Sequence, residues 1–512
     1  MRLRKYLRLH YGVSGSGENE STTGSVLIYG TGRNAMLMAA QIDSGGTYRV
    51  TGFIDATKEI RGRIRLHGLR VFAWDGDTAR LEEMISKRGV THILFTSDRD
   101  FNRERDGLVD YCISNNIGML MGGGIEPLDG DRRPPRRVKP VEIEDLLYRD
   151  EIRPDEENVA RQVDGKTVLV TGAAGSIGRG ITLRLLEFNP RRVILLDMAE
   201  TPLHDLELEL ARRFPGRDIT FVLSDVRSKS KMKRVFERYR PDYVFHAAAY
   251  KHVPVIEQYP CEGVMTNIWG TINTAHCAIA AEVEKFVMIS SDKAVNPTNV
   301  MGATKRIAEL CVRGLGSGSG TRFIITRFGN VLGSNGSVIP IFREQIASGG
   351  PVTVTHPEMT RYFMTIPEAC RLVLQAAAMG SGDEIFVFDM GQQIKIDNLA
   401  RRMILLSGFV PDEDIMIEYT GLRPGEKLYE ELLSEAEATA QTHNEKIRIV
   451  MTDKIERRSI EKEVTALIRS AARGDENTSV RLMKRVIPEF RSINSPFEVF
   501  DREEVMEVAY GY

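Results

Sequence analysis

Short apolar runs that end in a polar cluster, each followed by a stretch of helical spacing, recur along most of this chain. Val26-Leu27-Ile28-Tyr29 is one; Arg49-Val50-Thr51-Gly52-Phe53-Ile54, His92-Ile93-Leu94-Phe95 and Gly118-Met119-Leu120-Met121 repeat it. The series resumes with Lys166-Thr167-Val168-Leu169-Val170, Arg192-Val193-Ile194-Leu195-Leu196, Phe221-Val222-Leu223, Tyr243-Val244-Phe245, Phe286-Val287-Met288-Ile289 and the run from Arg322 to Thr326. Runs that are apolar throughout, rather than alternating, read as strands buried on both faces. Their alternation with helices predicts an α/β protein with two Rossmann-like, doubly wound parallel sheets.

The rhythm breaks in three places. Residues 13–25 are rich in Gly, Ser and Thr, so 1–25 read as a flexible leader. Residues 126–160 include Asp131-Arg132-Arg133-Pro134-Pro135-Arg136-Arg137-Val138-Lys139-Pro140 and read as a linker, with a short acidic helical stretch at 141–147. Beyond Val338 the elements shorten, and from about residue 456 the chain is charged and helical without a chemical motif. The expected domains are therefore 26–125, a first Rossmann-like domain, and 161–455, a second with a small substrate-binding subdomain from about 338. A helical tail covers 456–512.

Composition narrows the setting. The 512 residues carry 69 Lys and Arg against 71 Asp and Glu, a net charge of -2, which gives no reason to expect nucleic acid. Cys112, Cys261, Cys277, Cys311 and Cys370 are widely spaced with no Cys-x-x-Cys pair. That argues for reduced thiols in the cytoplasm and against a disulfide framework or a metal site. No apolar run approaches the ~18 residues of a membrane helix. Arg2, Arg4, Lys5 and Arg8 precede no signal-peptide apolar region, but they permit a weak, salt-sensitive contact with the inner face of a membrane.

Two glycine turns stand at strand ends. Gly30-Thr31-Gly32-Arg33-Asn34-Ala35, with Asp55 ending the next strand, has the outline of a nucleotide-binding βαβ unit. The motif is degenerate, and no chemistry is expected of this domain, because fold does not fix function. Thr171-Gly172-Ala173-Ala174-Gly175-Ser176-Ile177-Gly178 is the fuller fingerprint. Its glycines permit a tight turn and a close approach of backbone N–H groups to a pyrophosphate, so Gly172, Ala174, Gly175, Ser176, Ile177 and Gly178 are cofactor-binding candidates. Asp197, ending the next strand, can accept from a ribose 2′-OH and would repel a 2′-phosphate, which predicts NAD rather than NADP. Asp225 and Val226 are placed to meet the adenine. Ala247, Ala248 and Ala249 leave room for a cofactor against the backbone, or equally for tight packing.

The densest candidate chemistry follows the strand at 286–289. Ser291, Asp292 and Lys293 stand in a row at its end, Asn296-Pro297 marks a turn, and Met301 and Lys305 share one face of the next helix. An acid and an amine at the carboxyl end of a sheet strand make a place for proton transfer beside a ligand; a surface ion pair is the alternative. Arg361 and Arg423 are candidate phosphate clamps, or plain surface arginines.

Together with His246-Ala247-Ala248-Ala249-Tyr250-Lys251-His252-Val253-Pro254, Arg327-Phe328-Gly329-Asn330-Val331 and Gly421-Leu422-Arg423-Pro424-Gly425-Glu426-Lys427, these motifs resemble the nucleotide-sugar 4,6-dehydratase branch of the extended short-chain dehydrogenase/reductases. More closely, the chain is similar over about residues 26–490 to UDP-N-acetylglucosamine 4,6-dehydratases of the large polysaccharide-biosynthesis type. The resemblance implies a redox-neutral cycle. Hydride leaves sugar C4 for NAD, Lys293 removes the C5 proton, Asp292 protonates the departing C6 hydroxyl, and hydride returns to C6. It also implies a catalytic-site place for Ser291, a hydrogen bond from Lys305 to the nicotinamide ribose, and a UDP-sugar held among Lys251, His252, Asn330, Ser337, Arg361, Arg423 and Glu426. A homo-oligomer is expected.

The chain departs from that pattern in places. Arg179-Gly180 replaces the usual Ser-Glu, and Ser291 the common Thr. Long members carry membrane helices before the first Rossmann-like domain, and no such apolar stretch precedes it here. Met301 stands where most of the superfamily has a tyrosine, and a thioether cannot take the C4 hydroxyl proton. A UDP-sugar 4-epimerase would keep that tyrosine and has no need of the Asp292–Lys293 pair. A C5-inverting dehydratase shares the pair but is usually shorter and keeps the tyrosine. A catalytically silent nucleotide-sugar-binding protein is the remaining alternative.

Overall fold

The computed structural model describes residues 24–45, 48–56, 64–115, 117–122, 138–141, 143, 155–434, 437–451 and 457–501. The expected leader, most of the linker and its acidic stretch lie outside them. The chain forms two compact units, one of residues 1–148, 342–353 and 398–418, the other of 149–341, 354–397 and 419–512.

The first unit holds a seven-stranded sheet. Its central strand, Gly24–Tyr29, pairs in parallel with Tyr48–Asp55 on one side and His92–Phe95 on the other; Gly118–Gly122 and Leu69–Ala73 extend it in parallel. Short antiparallel strands, Arg65–Leu66 and Val138–Pro140, close the edges. Val26, Ile28, Phe53, Leu94 and Leu120 bury against Ala35 and Met38 of the helix Arg33–Gly45. The glycine turn thus sits between the first strand and first helix, as its spacing predicts.

The second unit is built on nine strands: β1 (Thr167–Thr171), β2 (Arg192–Asp197), β3 (Ile219–Leu223), β4 (Tyr243–His246), β5 (Lys285–Ile289), β6 (Arg322–Arg327), β7 (Glu384–Phe388), β8 (Ala438–Gln441) and β9 (Ile447–Met451). Their order is β3-β2-β1-β4-β5-β6-β7-β9-β8. The first seven are parallel, and β9 and β8 add an antiparallel edge. The order reverses between β1 and β4, and at such a switch point the loops from two carboxyl ends diverge and leave a crevice. The strands are apolar throughout because helices cover both faces: Val168, Val170, Leu195, Phe245 and Val287 bury on one side, Leu169, Ile194, Val244, Phe286 and Met288 on the other.

Two helices flank that crevice: α1 (Ser176–Glu187) after the glycine turn and α2 (Val300–Gly316) after the acid–amine stretch. The Asn299 side chain caps α2, accepting from Gly302 N at 2.7 Å. The tail contributes α3 (Arg457–Ala472) and α4 (Glu476–Val486); Glu461, Lys462, Arg469, Glu476, Arg481 and Arg485 are exposed, while Lys484 is buried against Asp501. Val464, Leu467, Val480 and Met483 pack in one core cluster with Val300, Met301 and Ile307 of α2. Each such buried aliphatic side chain contributes roughly 1.5–3 kcal/mol, so the tail helps fix the helix that carries Met301 and Lys305.

Candidate active site

Gly172 closes the turn after β1 with φ +66; a Cβ there would lie 2.6 Å from Ala248 N. A Cβ on Gly178 would lie 2.1 Å from Gly172 O. No side chain fits at either point, so the turn, α1 and the chain leaving β4 meet backbone to backbone. Ala247, Ala248 and Ala249 are half-buried along this contact. Helix α1 starts at Gly175 without a side-chain cap, so its first N–H groups form a positive end suited to phosphate. Asp197 braces the turn: Oδ2 accepts from Ala174 N and Oδ1 from Ala199 N, both at 3.0 Å. The Asp225 carboxylate accepts from Arg227 N at 2.8 Å and Arg227 Nε at 2.7 Å, and Val226 is buried beneath it. A cradle that admits no Cβ, a helix start facing it and an acid on the neighbouring strand together fit a dinucleotide.

Along the same edge of the sheet, β5 delivers the acid and the amine. Ser290 N donates to Thr326 O and Asp292 N to Phe328 O, which holds this segment beside the end of β6. Residues 292–294 form one 3-10 turn, capped by the Ser291 hydroxyl accepting from Lys293 N. Asp292 is 2 % exposed. Lys293 Nζ lies 3.1 Å from Asp292 Oδ1 and 3.0 Å from Asn330 Oδ1. The Ser291 hydroxyl donates to Asp292 Oδ1 at 2.9 Å.

Sequence reasoning missed a third member. Glu430 Oε1 lies 3.3 Å from Lys293 Nζ, and Glu430 is buried. It lies 137 positions along the chain from Lys293 in a charged stretch, just past the quoted glycine-rich motif, where nothing local separates it from a surface glutamate. What brings it in is a seam between two loops. The Thr298 hydroxyl and Asn299 Nδ2 donate to Gly425 O at 3.2 and 3.0 Å, Lys427 Nζ to Val295 O at 3.2 Å, and Asn296 Nδ2 to Glu431 Oε2 at 2.8 Å. Gly425, at φ +76, meets Asn299 so closely that a Cβ would stand 2.5 Å from it.

Burial raises the Asp292 carboxyl above its ordinary range, and this outweighs Lys293. Burial opposes charge on Lys293 too, but Asp292 and Glu430 overcome it and raise its pKa. Burial likewise opposes the Glu430 charge, yet Lys293, Arg361 and Lys427 hold its carboxyl low. Burial thus pushes Asp292 toward its neutral form, while the two carboxylates push Lys293 toward its charged form.

A second buried network, also absent from the sequence reading, stands behind this one. Arg327 Nε and Nη2 reach the two oxygens of Glu309 at 2.8 and 2.7 Å, and the Ser290 hydroxyl donates to Glu309 Oε1 at 2.6 Å. The pair ties α2 to the ends of β5 and β6. Burial would raise Glu309, but Arg327 and Arg306 overcome it and hold the carboxyl at about 2.

The remaining candidates divide. Lys305 is buried and donates to Ile289 O at 2.6 Å; burial, against the pull of Glu309, brings it down to about 8. Met301 is buried in the α2 core cluster. Lys251 Nζ lies 3.4 Å from the Ser334 hydroxyl, and burial lowers it. Burial and Lys251 lower His252, whose ring lies against Gly336. In the same loop Asn335 N donates to Ser176 Oγ at 3.2 Å, and Ser337 Oγ is buried without a partner among the described residues. Arg361 is buried, with both terminal nitrogens donating to backbone: Nη1 to Thr360 O at 2.7 Å and Nη2 to Lys427 O at 2.8 Å. Arg423 is exposed, its backbone N–H donating to Glu426 Oε2 at 3.2 Å.

A nucleotide cradle at the strand-order switch, with proton-transfer groups two strands away, defines an extended short-chain dehydrogenase/reductase. Comparison with known proteins agrees. The chain belongs to the polysaccharide biosynthesis protein family, whose profile matches residues 168–452. It is 44% identical over 427 residues to the probable polysaccharide biosynthesis protein EpsC of Bacillus subtilis, spanning 83% of this chain and 70% of that one. Over 276 residues it is 34% identical to a UDP-N-acetylglucosamine 4,6-dehydratase (inverting) of Campylobacter jejuni, covering 53% of this chain and 78% of the relative. Over 294 residues it is 35% identical to a UDP-glucose 4-epimerase of Rickettsia canadensis, covering 56% and 83%. The X-ray structure of Pen from Bacillus thuringiensis superposes with a TM-score of 0.53 at 37% identity, over 58% of this chain and 90% of that one.

Proposed function

We propose that this protein is a nucleotide-sugar 4,6-dehydratase that uses NAD and acts on UDP-N-acetylglucosamine in the biosynthesis of a surface polysaccharide. The observation that carries this reading is the Asp292–Lys293 pair at the end of β5, its acid buried, with a buried Met301 where an epimerase would need a phenol. Gly172, Ala174, Gly175, Ser176, Ile177 and Gly178 would hold the pyrophosphate, Asp197 the adenosine ribose, Asp225, Val226 and Ala247–Ala249 the adenine side, and Lys305 the nicotinamide ribose. Bound there, NAD would accept hydride from sugar C4 and return it to C6.

Lys293 takes the C5 proton once C4 is a ketone, because without that ketone the C5–H is far too weak an acid for an amine. Asp292 donates its proton to the C6 oxygen, since hydroxide is a poor leaving group. Its raised pKa suits that role. Ser291 orients Asp292 through its 2.9 Å hydrogen bond. Lys251, His252, Asn330, Ser337, Arg361, Arg423 and Glu426 are assigned to the UDP-sugar; of these, Arg361 acts through the backbone it holds at 427–428. The protein is assigned to the cytoplasm as a homo-oligomer, with at most weak membrane contact; among the described residues no helix is long and apolar enough to cross a membrane.

A 4-epimerase is the second reading, favoured by a 35% identity to a relative of that name that matches the 34% to the dehydratase. Incubation with UDP-N-acetylglucosamine and NMR of the product separates the two. A 4-keto-6-deoxy sugar supports the proposal, and the C4 epimer overturns it.

A further inference from the structure

Lys293 is one ammonium facing two buried carboxylates. Asp292 Oδ1 lies 3.1 Å from its Nζ, and Glu430 Oε1 3.3 Å. Each carboxylate has a second oxygen, Asp292 Oδ2 and Glu430 Oε2, that is buried with no hydrogen-bond partner among the described residues. Asp292 is 2 % exposed and Glu430 5 %, and two such carboxylates sharing one ammonium favour keeping a proton between them. Their other neighbours decide which one carries it. Glu430 has Arg361 Nε at 3.8 Å and also feels Lys427. Glu426, 3.6 Å from Arg361, draws on part of that charge. Among the described residues, the partner of Asp292 besides Lys293 and Glu430 is the neutral Ser291 hydroxyl, and Gly329 lies beside its Oδ2. Asn330, 3.0 Å from the ammonium, is neutral as well.

We propose that Glu430 makes Asp292 a general acid: it takes over Lys293 as its counter-ion and leaves Asp292 to carry a proton. This rests on the dehydratase reading above. Glu430 is a positioning residue, acting through Lys293 and Asp292. At rest the three groups hold a neutral Asp292 carboxyl, a Lys293 ammonium and a Glu430 carboxylate. Moving one proton from Nζ to Glu430 Oε1 breaks an N–H bond and makes an O–H bond. It frees the amine as a base without spending the proton of Asp292, which remains for the C6 oxygen. The directions of the shifts agree with the resting state, burial raising Asp292 and the cations holding Glu430 low, while the raised Lys293 makes the proton transfer to Glu430 the uphill step.

The test is infrared spectroscopy of the purified full chain without sugar. The carbonyl stretch of a protonated carboxylic acid is assigned to Asp292 by subtracting the spectrum of Asp292→Asn. The wild type is expected to show that band at neutral pH. Glu430→Gln, which leaves Asp292 as the main counter-ion of Lys293, is expected to lose it, and Glu430→Asp to keep part of it. In turnover Glu430→Gln should lower kcat by about 10²-fold, the scale of one general acid, with KM little changed. A band that persists in Glu430→Gln overturns the proposal. So does its absence from the wild type, a result that stands even if Glu430→Gln does not fold. If the wild type shows the band but makes no 4-keto-6-deoxy sugar, the proton placement holds and the dehydratase reading fails. If it dehydrates without the band, the reverse follows.

Discussion

The two glycine turns of this chain each join a central strand to a helix and differ in what surrounds them. In the first unit Gly30 turns at φ +103, and its N–H donates to Ile54 O at 2.7 Å. The acid at the end of the next strand, Asp55, is engaged by the hydroxyl of Thr31 in the turn itself. The strand on the other side runs into Thr96 and Ser97; the Thr96 hydroxyl fills the space beside Gly30, and Ser97 caps a short helix. In the second unit Asp197 instead takes a backbone N–H of the turn, and backbone rather than a side chain fills the space beside Gly172. The contrast is that the Thr31 hydroxyl and Thr96 occupy the first turn's acid and open side, whereas in the second the turn meets backbone.

The sharpest way to break that contrast is at the strand ends. Lys293→Met and Asp292→Asn should each lower dehydration by ~10²–10⁴, the range for a positioned acid or base, with the protein still folded and nucleotide still bound. Thr31→Ala and Asp55→Asn in the first unit should leave turnover near wild type. Steady-state kinetics on the four variants checks this, and a loss in the first-unit pair as large as in the second would erase the distinction.

Next in size is the support behind the site. Arg327→Met leaves the Glu309 carboxylate buried without its main partner, which should cost roughly 3–5 kcal/mol in denaturant unfolding. Glu309 has a depressed folded-state pKa, so its stabilisation is complete above the unfolded value of about 4.3. It is lost as pH falls from there through about 2. Thermal melts over that window should show a steeper acid loss in the wild type than in Arg327→Met.

A third expectation concerns the turns directly. Gly172→Ala puts a Cβ 2.6 Å from backbone at Ala248, and should abolish co-purifying nucleotide. Gly30→Ala is strained at φ +103 and meets the Thr96 hydroxyl at 3.2 Å, and should leave nucleotide content unchanged. The smallest effect is in cofactor choice: nucleotide released from the wild type should be NAD, and Asp197→Ser should admit a minor share of NADP, read by chromatography of the extract.

Much of the fold was legible because strands buried on both faces leave continuous apolar runs. The runs at 26–29, 92–95, 192–196 and 286–289 all fall within strands of the structure. The antiparallel edge, Ala438–Gln441 and Ile447–Met451, leaves no such signal: the first segment, Ala-Thr-Ala-Gln, has no large apolar residue, and the second, Ile-Arg-Ile-Val-Met, is short and broken by Arg448. Asp292 and Lys293 were legible because the strand end, the turn and the next helix lie within about twenty residues. Glu430, Glu309 and Arg327 were not, because their meaning lies in long-range pairing. Arg327 ends a strand and Glu309 sits in a helix that reads as amphipathic, and only the packing of α2 on β6 makes them a buried pair.

The central claim is that the pair at the end of β5 carries out an elimination. The most direct measurement is turnover of UDP-N-acetylglucosamine in deuterated water, followed by NMR. A 4-keto-6-deoxy product with solvent deuterium at C5 and none in the hydride delivered to C6 is expected, and no such product from Lys293→Met. A C4 epimer without loss of the C6 oxygen, solvent deuterium at C6, or near-normal turnover by Lys293→Met would contradict it.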